Sequence, residues 1–306
     1  MITYVLTEIF QSPAIVLVNT VNTVGVMGKG IAKEFKYYYP EMFTEYQRLC
    51  ERGQFQVGQL WLFKKTPRKW ILNFPTKKHW RQPSKPEYIE AGLEKFVNTY
   101  AKNSITSISF PMLGCGNGEL DWAQTVRPLM EKYLKRLPIE VLIHLRGKDP
   151  FPPEHRDPVV MRMWLRSEPE SLAFTEVWGD LCEIIKNQKT FFTLDKKVSF
   201  TAEIITQPQS GVKIESDGMA NFVPEDALLD LWQQTRSLGF CMERTMPSGL
   251  DRYAPYIISL LANLAYFKPI KLSKQDARIS SWAIGLQLMP REQKQIPSPM
   301  QVIERV

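Results

Sequence analysis

The chain has 306 residues, 44% of them hydrophobic, a content that is ordinary for a folded soluble protein and a length that suits two domains. The sequence has neither the apolar run of roughly eighteen residues that a membrane span needs nor a basic-then-apolar leader, so we expect a cytoplasmic protein. Its four cysteines form no CxxC pair, so we expect free thiols and neither metal nor cofactor. The net charge of +7 lies in the first half, because residues 1–150 carry 21 Lys and Arg against 13 Asp and Glu, which indicates that this half meets a polyanion.

Strands and helices alternate through the first half. Apolar runs and alternation predict strands at residues 2–6, 14–18, 59–63, 69–74, 104–110 and 138–145. Helical spacing predicts helices at residues 28–39, 41–52 and 87–100. A further helix is expected after Asp121, which caps it with Gln124 at the capping-box position. This interleaving predicts an α/β sandwich with a mixed sheet, whose strand ends line a ligand crevice beside residues 19–30.

The second half reads as a smaller α+β domain. Residues 146–160 are rich in proline and charge and are the best linker candidate, which divides the chain into domains at 1–148 and 160–306. Beyond the linker, helices are predicted at residues 169–187, 224–238 and 250–266, and strands near 190–194, 198–206, 211–216 and 279–289.

The stretch from Asn19 to Ala32 joins a buried strand to a helix and has glycines at positions 25, 28 and 30. Glycine lets backbone N–H groups turn toward a ligand, and beside a helix N-terminus such a turn attracts phosphate or pyrophosphate. The stretch is not a Walker A loop, because the Gly-Lys-Ser/Thr ending is missing, and it is not GxGxxG, because Lys33 stands where the last glycine would be. On spacing alone, a plain glycine-rich turn remains the alternative.

Three stretches together resemble the macrodomain family: residues 19–32, residues 73–81 (Asn-Phe-Pro-Thr-Lys-Lys-His-Trp-Arg) and residues 111–116 (Pro-Met-Leu-Gly-Cys-Gly). They are similar to its DarG-type branch of DNA ADP-ribosyl glycohydrolases, antitoxins that strip ADP-ribose from thymidines modified by a DarT-type toxin. The resemblance implies a three-layer α/β/α macrodomain sandwich with a mixed sheet at 1–148, acting on single-stranded DNA. Residues 160–306 do not show the family's usual C-terminal pattern. That they bind the cognate ADP-ribosyltransferase toxin is implied only by the role of this region in other members of the family.

The resemblance also implies the ADP-ribose site. Its residues would be Glu8, Ile9, Thr20, Val21, Asn22, Gly28, Gly30, Ile31, His79, Gly114, Cys115, Gly116, Asn117 and Gly118. Glu8 stands where the family carries the Asp that accepts from the adenine amino group, with a solvated loop acid as the alternative, and Asn22 would orient the distal ribose. Asn117 occupies the place of an acid in some relatives, so no carboxylate partner is assigned to the catalytic group. Cys115 has no identifiable His partner and is interpreted as a small loop residue rather than a nucleophile.

Lys77 is the candidate catalytic residue. By resemblance, the first lysine after Thr76 is the catalytic lysine of this branch. ADP-ribose on a base nitrogen is an N-glycoside, and a neutral amine can attack its anomeric carbon C1″ or open the ribose as a Schiff base. Lys78 and Arg81 are expected to disfavour the protonated amine by repulsion. The alternative, from sequence alone, is a solvated surface lysine.

Residues 61–85 alternate cations with aromatic rings and contain no acid, a pattern typical of single-stranded nucleic-acid binding. Within it, Lys78, Trp80 and Arg81 are the predicted DNA-binding residues, with Trp80 expected at the surface against a packing alternative. The remaining apolar positions are expected in the core: Trp61, Phe63, Ile71 and Phe74.

Two other functions stay open. A non-catalytic ADP-ribose reader would not require Lys77 in its Thr-Lys-Lys-His-Trp-Arg setting. A hydrolase of free or protein-linked ADP-ribose derivatives would not require the basic and aromatic stretch at 61–85.

Overall fold

The computed structural model describes residues 1–145, 152–195, 197–273 and 282–289. The chain divides into two compact units, Met1–Arg162 and Met163–Val306. The first unit extends past the predicted domain end at residue 148, because part of the predicted linker contacts it: Pro152–Arg156 pair with side chains of the first unit. Residues 146–151 of that linker lie outside the described residues. Among the helices that the structure describes, none is long and apolar enough to cross a bilayer.

One mixed sheet forms the centre of the first unit. Its strands, within the described residues, are β1 (Ile2–Val5), β2 (Val16–Val21), β3 (Trp61–Thr66), β4 (Lys69–Pro75), β5 (Ser107–Pro111) and β6 (Glu140–His144), in the order β1-β6-β5-β2-β4-β3. All neighbours are parallel except β3 and β4, which form an antiparallel pair. The predicted mixed sheet is thus confirmed, and the carboxyl ends of its five parallel strands meet at one edge.

Helices cover both faces of this sheet. They are α1 (Gly30–Tyr38), α2 (Pro40–Glu51), α3 (Pro86–Thr99) and α4 (Arg127–Leu134), the last preceded by a π turn at Trp122–Val126. Because side chains alternate along a strand, Leu17 of β2 packs with α1 and α2, whereas Val16 and Val18 pack with α3 and α4. The arrangement confirms the three-layer α/β/α sandwich. The predicted cap is confirmed too, since the Asp121 carboxylate accepts a hydrogen bond of 2.6 Å from the Gln124 N–H.

The second unit is α+β, as predicted. Its described strands form two antiparallel sheets: β7 (Thr190–Phe192), β8 (Ser199–Ile205), β9 (Gly211–Ser216) and β10 (Met219–Pro224) in the order β10-β9-β8-β7, and β11 (Phe240–Met242), β12 (Phe267–Ser273) and β13 (Trp282–Leu288) in the order β11-β13-β12. The described residues also form α5 (Pro158–Arg166), which spans the boundary between the units, and α6 (Phe174–Asn187), α7 (Glu225–Leu238) and α8 (Ala254–Leu261) in the second unit.

Several boundaries in the second half differ from the prediction. The helix expected at 169–187 begins as a separate 3-10 turn at Pro169–Ser171, and the helix expected at 250–266 ends at Leu261, before strand β12. Strand β10 was missed, although the Asp217-Gly218 turn that precedes it is a strong hairpin signal: both residues have positive φ, 51° and 75°. Of the strand predicted at 279–289, residues 279–281 lie outside the described residues.

Candidate active site

Five loops converge at the edge where the parallel strands end. Strand β1 leads to Glu8, β2 to residues 22–29, β4 to residues 76–81 and β5 to residues 112–120. Strand β6 leads, by way of residues outside the described part of the chain, to residues 152–156. In open α/β sheets this edge is where ligands bind. The first four of these segments hold most of the predicted site residues, and the others lie directly beside them, in Ile9–Gln11, at the end of β2 and at the start of α1.

The loop after β2 is organised by the Asn22 side chain. Its Nδ2 donates to the Val26 carbonyl at 2.6 Å, and its Oδ1 accepts from the N–H groups of Val24 and Val26 at 3.0 and 3.3 Å. The Tyr46 hydroxyl, from α2, donates to the Asn22 carbonyl at 2.8 Å. Both ends of the Asn22 amide are thus engaged within the loop, so a bond to a ribose hydroxyl would use its second amide hydrogen.

Neighbouring elements hold this loop in place. The Gln47 side chain donates to the Gly25 carbonyl at 3.0 Å, and the Thr23 hydroxyl donates to the Lys78 carbonyl, in the loop after β4, at 2.8 Å. These bonds fix the start of α1, whose first N–H groups are directed at the site edge and favour an anion there.

Glycine is required where the loops after β2 and β5 approach each other. Gly30 has a φ of +56°, and a Cβ there would lie 2.7 Å from Asn117 Nδ2. In the second loop, a Cβ at Gly118 would lie 2.2 Å from the Ser84 hydroxyl. The loop after β5 therefore lies close to Gly30 through Asn117 and close to the segment before α3 through Gly118.

Lys77 lies in the loop after β4 and is buried, with 5% of its side chain exposed. The Thr76 N–H bonds to the Val21 carbonyl at 2.9 Å and ties this loop to the end of β2. Burial lowers the pKa of the Lys77 ammonium group, and the charges of Glu154 and Glu119 oppose this in part. The predicted direction is confirmed, but the predicted cause is wrong, because burial is the main cause and Lys78 and Arg81 are not among the main influences on this pKa.

A carboxylate contacts Lys77, contrary to the prediction that it has none nearby. Glu154 Oε1 lies 3.2 Å from Lys77 Nζ, and 9% of the Glu154 side chain is exposed. Burial raises the pKa of Glu154, and the Lys77 charge opposes this. The residue was missed because its Pro-rich, charged surroundings were interpreted as a linker. The available signal was its position after the strand at 138–145, which ends at the site edge.

Two further contacts fix the segment that carries Glu154. The Lys29 ammonium group donates to the Pro152 carbonyl. The Glu119 carboxylate, from the loop after β5, pairs with His155 Nε2 at 2.7 Å and with Arg156. These hydrogen bonds lower the pKa of Glu119. Residues 152–156 therefore contact both the loop after β2 and the loop after β5, and place Glu154 against Lys77.

The predicted DNA-binding residues separate into two groups. Lys78 and Arg81 are exposed, as a DNA contact requires. Trp80 is fully buried, so the prediction that it lies at the surface is wrong, and the Arg81 guanidinium stacks 4.2 Å from its ring centroid. The predicted core positions are confirmed: Ile71 and Phe74 are buried, and Trp61 and Phe63 pack against the core.

The remaining predicted residues lie around the same edge. Glu8 is half-buried and precedes the buried Ile9 in a 3-10 turn, and His79 is half-buried beside Trp80. Cys115 is buried, with its thiol 3.6 Å from the Leu113 carbonyl oxygen, which suits a small loop residue. Ser84 was not predicted: its N–H bonds to the Gly118 carbonyl at 3.0 Å, and its buried hydroxyl has no partner among the described residues. No motif or pattern around Ser84 in the sequence indicates that it belongs to the site.

Comparison with known proteins places the similarity in the first half of the chain. The family model of the Macro domain matches residues 18–129. The DNA ADP-ribosyl glycohydrolase of Mycobacterium tuberculosis is 44% identical over 147 residues, which are 47% of this chain and 42% of that protein. The solved macrodomain of Mycobacterium tuberculosis DarG is also 44% identical. The match covers 97% of that macrodomain and 47% of this chain, with a TM-score of 0.46.

Two more relatives differ in architecture. The Thermosipho africanus protein named DNA ADP-ribosyl transferase-DNA ADP-ribosyl glycohydrolase fusion protein is 38% identical over 156 residues, 45% of this chain and 40% of that protein. The bovine ADP-ribose glycohydrolase OARD1 is 31% identical over 146 residues, 47% of this chain and 90% of that protein. The matched part thus spans less than half of the DNA-directed relatives but nearly all of the bovine protein.

Proposed function

This chain belongs to the macrodomain family through its first half, and we propose that it is a DNA ADP-ribosyl glycohydrolase that releases ADP-ribose from thymidine bases in single-stranded DNA. The observation that carries the proposal is Lys77, a buried lysine of lowered pKa at the edge where two glycine-rich loops meet. A reader that only binds ADP-ribose has no use for a desolvated amine at that place. Relatives named for this activity, 38–44% identical, support the same conclusion.

The ADP-ribose would lie along the carboxyl edge of the sheet. The half-buried Glu8 would accept from the adenine amino group, and the two phosphates would bind the N–H groups of Gly28–Ile31 and Gly114–Gly118. The distal ribose would then reach Lys77, with Asn22 beside it. The close approach of the Gly30 backbone to the Asn117 side chain supports this placement, because the two loops then lie near enough to bind one pyrophosphate.

Burial explains how Lys77 could react. Breaking the N-glycosidic bond develops positive character at C1″, and only the neutral amine has a free electron pair with which to attack it. An ammonium group removed from water loses much of its hydration, so the neutral form becomes accessible at lower pH than for a surface lysine. The burial of the Lys77 side chain supports such an environment.

The choice of DNA as substrate is supported by charge. Lys78 and Arg81 are exposed in the same loop as Lys77, and residues 1–150 have the excess of cations. A base in a single strand can enter the site without breaking base pairs, which favours single-stranded over duplex substrate. Similarity to OARD1 favours a second candidate, a glycohydrolase acting on ADP-ribose linked to groups other than DNA bases.

We also propose that the protein neutralises an ADP-ribosyltransferase toxin. The support is the Thermosipho africanus relative, whose name joins a transferase and a glycohydrolase in one chain. Residues 151–306 carry 18 Lys and Arg against 19 Asp and Glu, a balance that suits a protein partner better than DNA. The second unit would therefore hold the transferase while the first unit reverses its product.

The test of the substrate compares two modified molecules. The full chain is incubated with a single-stranded oligonucleotide carrying labelled ADP-ribose on thymidine, and separately with a protein carrying labelled ADP-ribose. We expect rapid release from the oligonucleotide and little from the protein. Release from the protein alone would replace the DNA proposal with the second candidate, and binding of ADP-ribose without release from either substrate would favour a reader.

A further inference from the structure

The contact between Glu154 and Lys77 removes two opposite charges from water at the centre of the site. Their side chains are 9% and 5% exposed, and the atoms that join them are 3.2 Å apart. A buried ion pair is weak evidence for stability, because desolvating both charges costs about as much as their attraction returns. A desolvated pair in a ligand-binding crevice is better evidence for a functional role.

The position of Glu154 is fixed from both sides. Lys29, in the loop after β2, binds the Pro152 carbonyl, and Glu119, in the loop after β5, binds His155 and Arg156. The carboxylate is therefore held between the two glycine-rich loops, which are the proposed phosphate cradles. A catalytic group needs this kind of support, since small displacements from the reacting atoms sharply reduce the rate.

Burial of the pair, rather than the charges around it, favours movement of its proton. Glu154 is faced by Lys77, Lys29 and His155, with the buried Tyr46 hydroxyl nearby, and Lys77 is faced by Glu154, Glu119 and Lys29. Burial is the largest influence on both members, lowering the pKa of Lys77 and raising that of Glu154. Both shifts bring the neutral amine and neutral carboxylic acid closer in free energy to the ion pair, which the attraction between the two charges stabilises.

We propose that Glu154 is a catalytic residue of this site, which takes the proton from the Lys77 ammonium group and delivers it to the base nitrogen as that nitrogen leaves C1″. This inference rests on the proposed glycohydrolase function and names a group that the sequence did not reveal. Proton transfer from Nζ to the Glu154 carboxylate leaves a neutral amine and a carboxylic acid.

The reaction then balances in two steps. The Nζ electron pair forms a bond to C1″, the bond from C1″ to the base nitrogen breaks with its electron pair on that nitrogen, and the Glu154 proton neutralises it. In the second step the Glu154 carboxylate takes a proton from water, the oxygen bonds to C1″, and the electron pair of the C1″–Nζ bond returns to Lys77. The products are the unmodified base and free ADP-ribose, and the pair again holds one proton.

The opposite role for the same contact is a cover that blocks Lys77 until substrate displaces it. The two roles predict opposite effects of Glu154→Gln. A glutamine of the same size keeps the fold of the segment but cannot accept and return the proton, so loss of a proton-transfer group reduces kcat by about 10²- to 10⁴-fold. If Glu154 were only a cover, weakening its ion pair with Lys77 would leave release unchanged or increase it.

The shape of the pH profile separates proton transfer from a structural effect. In the wild type the active pair holds one proton, so kcat falls at low pH, where the pair binds two, and at high pH, where it binds none. In Glu154→Gln the residual rate requires only a neutral Lys77, so it rises with pH and does not fall again. Glu154→Asp keeps the carboxyl group and is expected to retain a bell-shaped profile at reduced kcat.

The experiment measures release of labelled ADP-ribose from a modified single-stranded oligonucleotide by the full chain, with ADP-ribose affinity measured by calorimetry. In Glu154→Gln we expect kcat to fall by about 10²- to 10⁴-fold and the decline of kcat at high pH, the alkaline limb of the profile, to disappear. ADP-ribose affinity should stay within about threefold of wild type. A Glu154→Gln variant with wild-type or higher kcat and a bell-shaped pH profile would overturn the role of Glu154 but not the proposed glycohydrolase function. A Glu154→Asp variant without the alkaline limb would also overturn it. An inactive wild type would instead overturn the proposed function.

Discussion

Gly30 is the position at which substitution should separate ligand binding from folding. Its φ of +56° lies in the left-handed region, where a residue with a Cβ costs about 1–2 kcal/mol. For a protein of this size each 1 kcal/mol lowers Tm by roughly 2–4 °C. Gly30→Ala should therefore lower Tm by roughly 2–8 °C. Its Cβ would lie 2.7 Å from Asn117 Nδ2 and must displace the Asn117 side chain.

The displacement of Asn117 should weaken ADP-ribose binding. Loss of one hydrogen bond to a charged phosphate costs about 1.5–3 kcal/mol, which is roughly a 10- to 150-fold increase in Kd. The matched control is Gly53→Ala, at the end of α2, because Gly53 has a similar φ of +67° but nothing within 4 Å of the added Cβ. This variant should pay the same backbone cost while binding ADP-ribose like the wild type.

Calorimetric titration with ADP-ribose, alongside thermal unfolding of both variants, is the assay. We expect similar losses of Tm in both variants and a weaker Kd for ADP-ribose in Gly30→Ala alone. If Gly30→Ala binds ADP-ribose with wild-type affinity while its Tm falls like that of Gly53→Ala, the assignment of this loop to the phosphates is refuted.

Three further predictions concern the DNA-facing loop and the second unit. Trp80→Ala should lower the free energy of unfolding by about 3–5 kcal/mol in urea titrations followed by circular dichroism, because the ring is fully buried, and a loss below about 1 kcal/mol would contradict that burial. Lys78→Ala should leave ADP-ribose affinity unchanged but flatten the plot of log K for single-stranded DNA against log salt by about 0.7, as anisotropy can measure, and an unchanged slope would exclude a phosphate contact. Residues 163–306 alone should retain the transferase in a pull-down, and retention by residues 1–162 alone would contradict the proposed division of labour.

The fold of the first half was predictable because its signals are local. The apolar run that became β2 and the helical spacing of α1 and α3 each depend on neighbouring residues, and the edge at which the loops meet follows from parallel pairing. In the second half, the helix predicted at 250–266 was too long, because its apolar residues continue into strand β12 and periodicity does not separate the two there.

The site was predictable where a motif marked it and not where distant segments meet. Lys77 was identified from its neighbours, but Glu154 is distant from it in sequence and lies in a run whose prolines indicate a linker. The burial of Trp80 was missed for a related reason. Its polar neighbours suggest a surface position, whereas its environment is set by packing that no local pattern encodes.

The role of Lys77 is tested most directly by Lys77→Ala in the release of labelled ADP-ribose from a modified single-stranded oligonucleotide at saturating enzyme. The variant should lose turnover by at least about two orders of magnitude, because the attacking amine is gone. Its affinity for ADP-ribose should stay close to that of the wild type, since the backbone groups of the two glycine loops supply it. Near-wild-type release by Lys77→Ala, in a folded protein that still binds ADP-ribose, would contradict the mechanism.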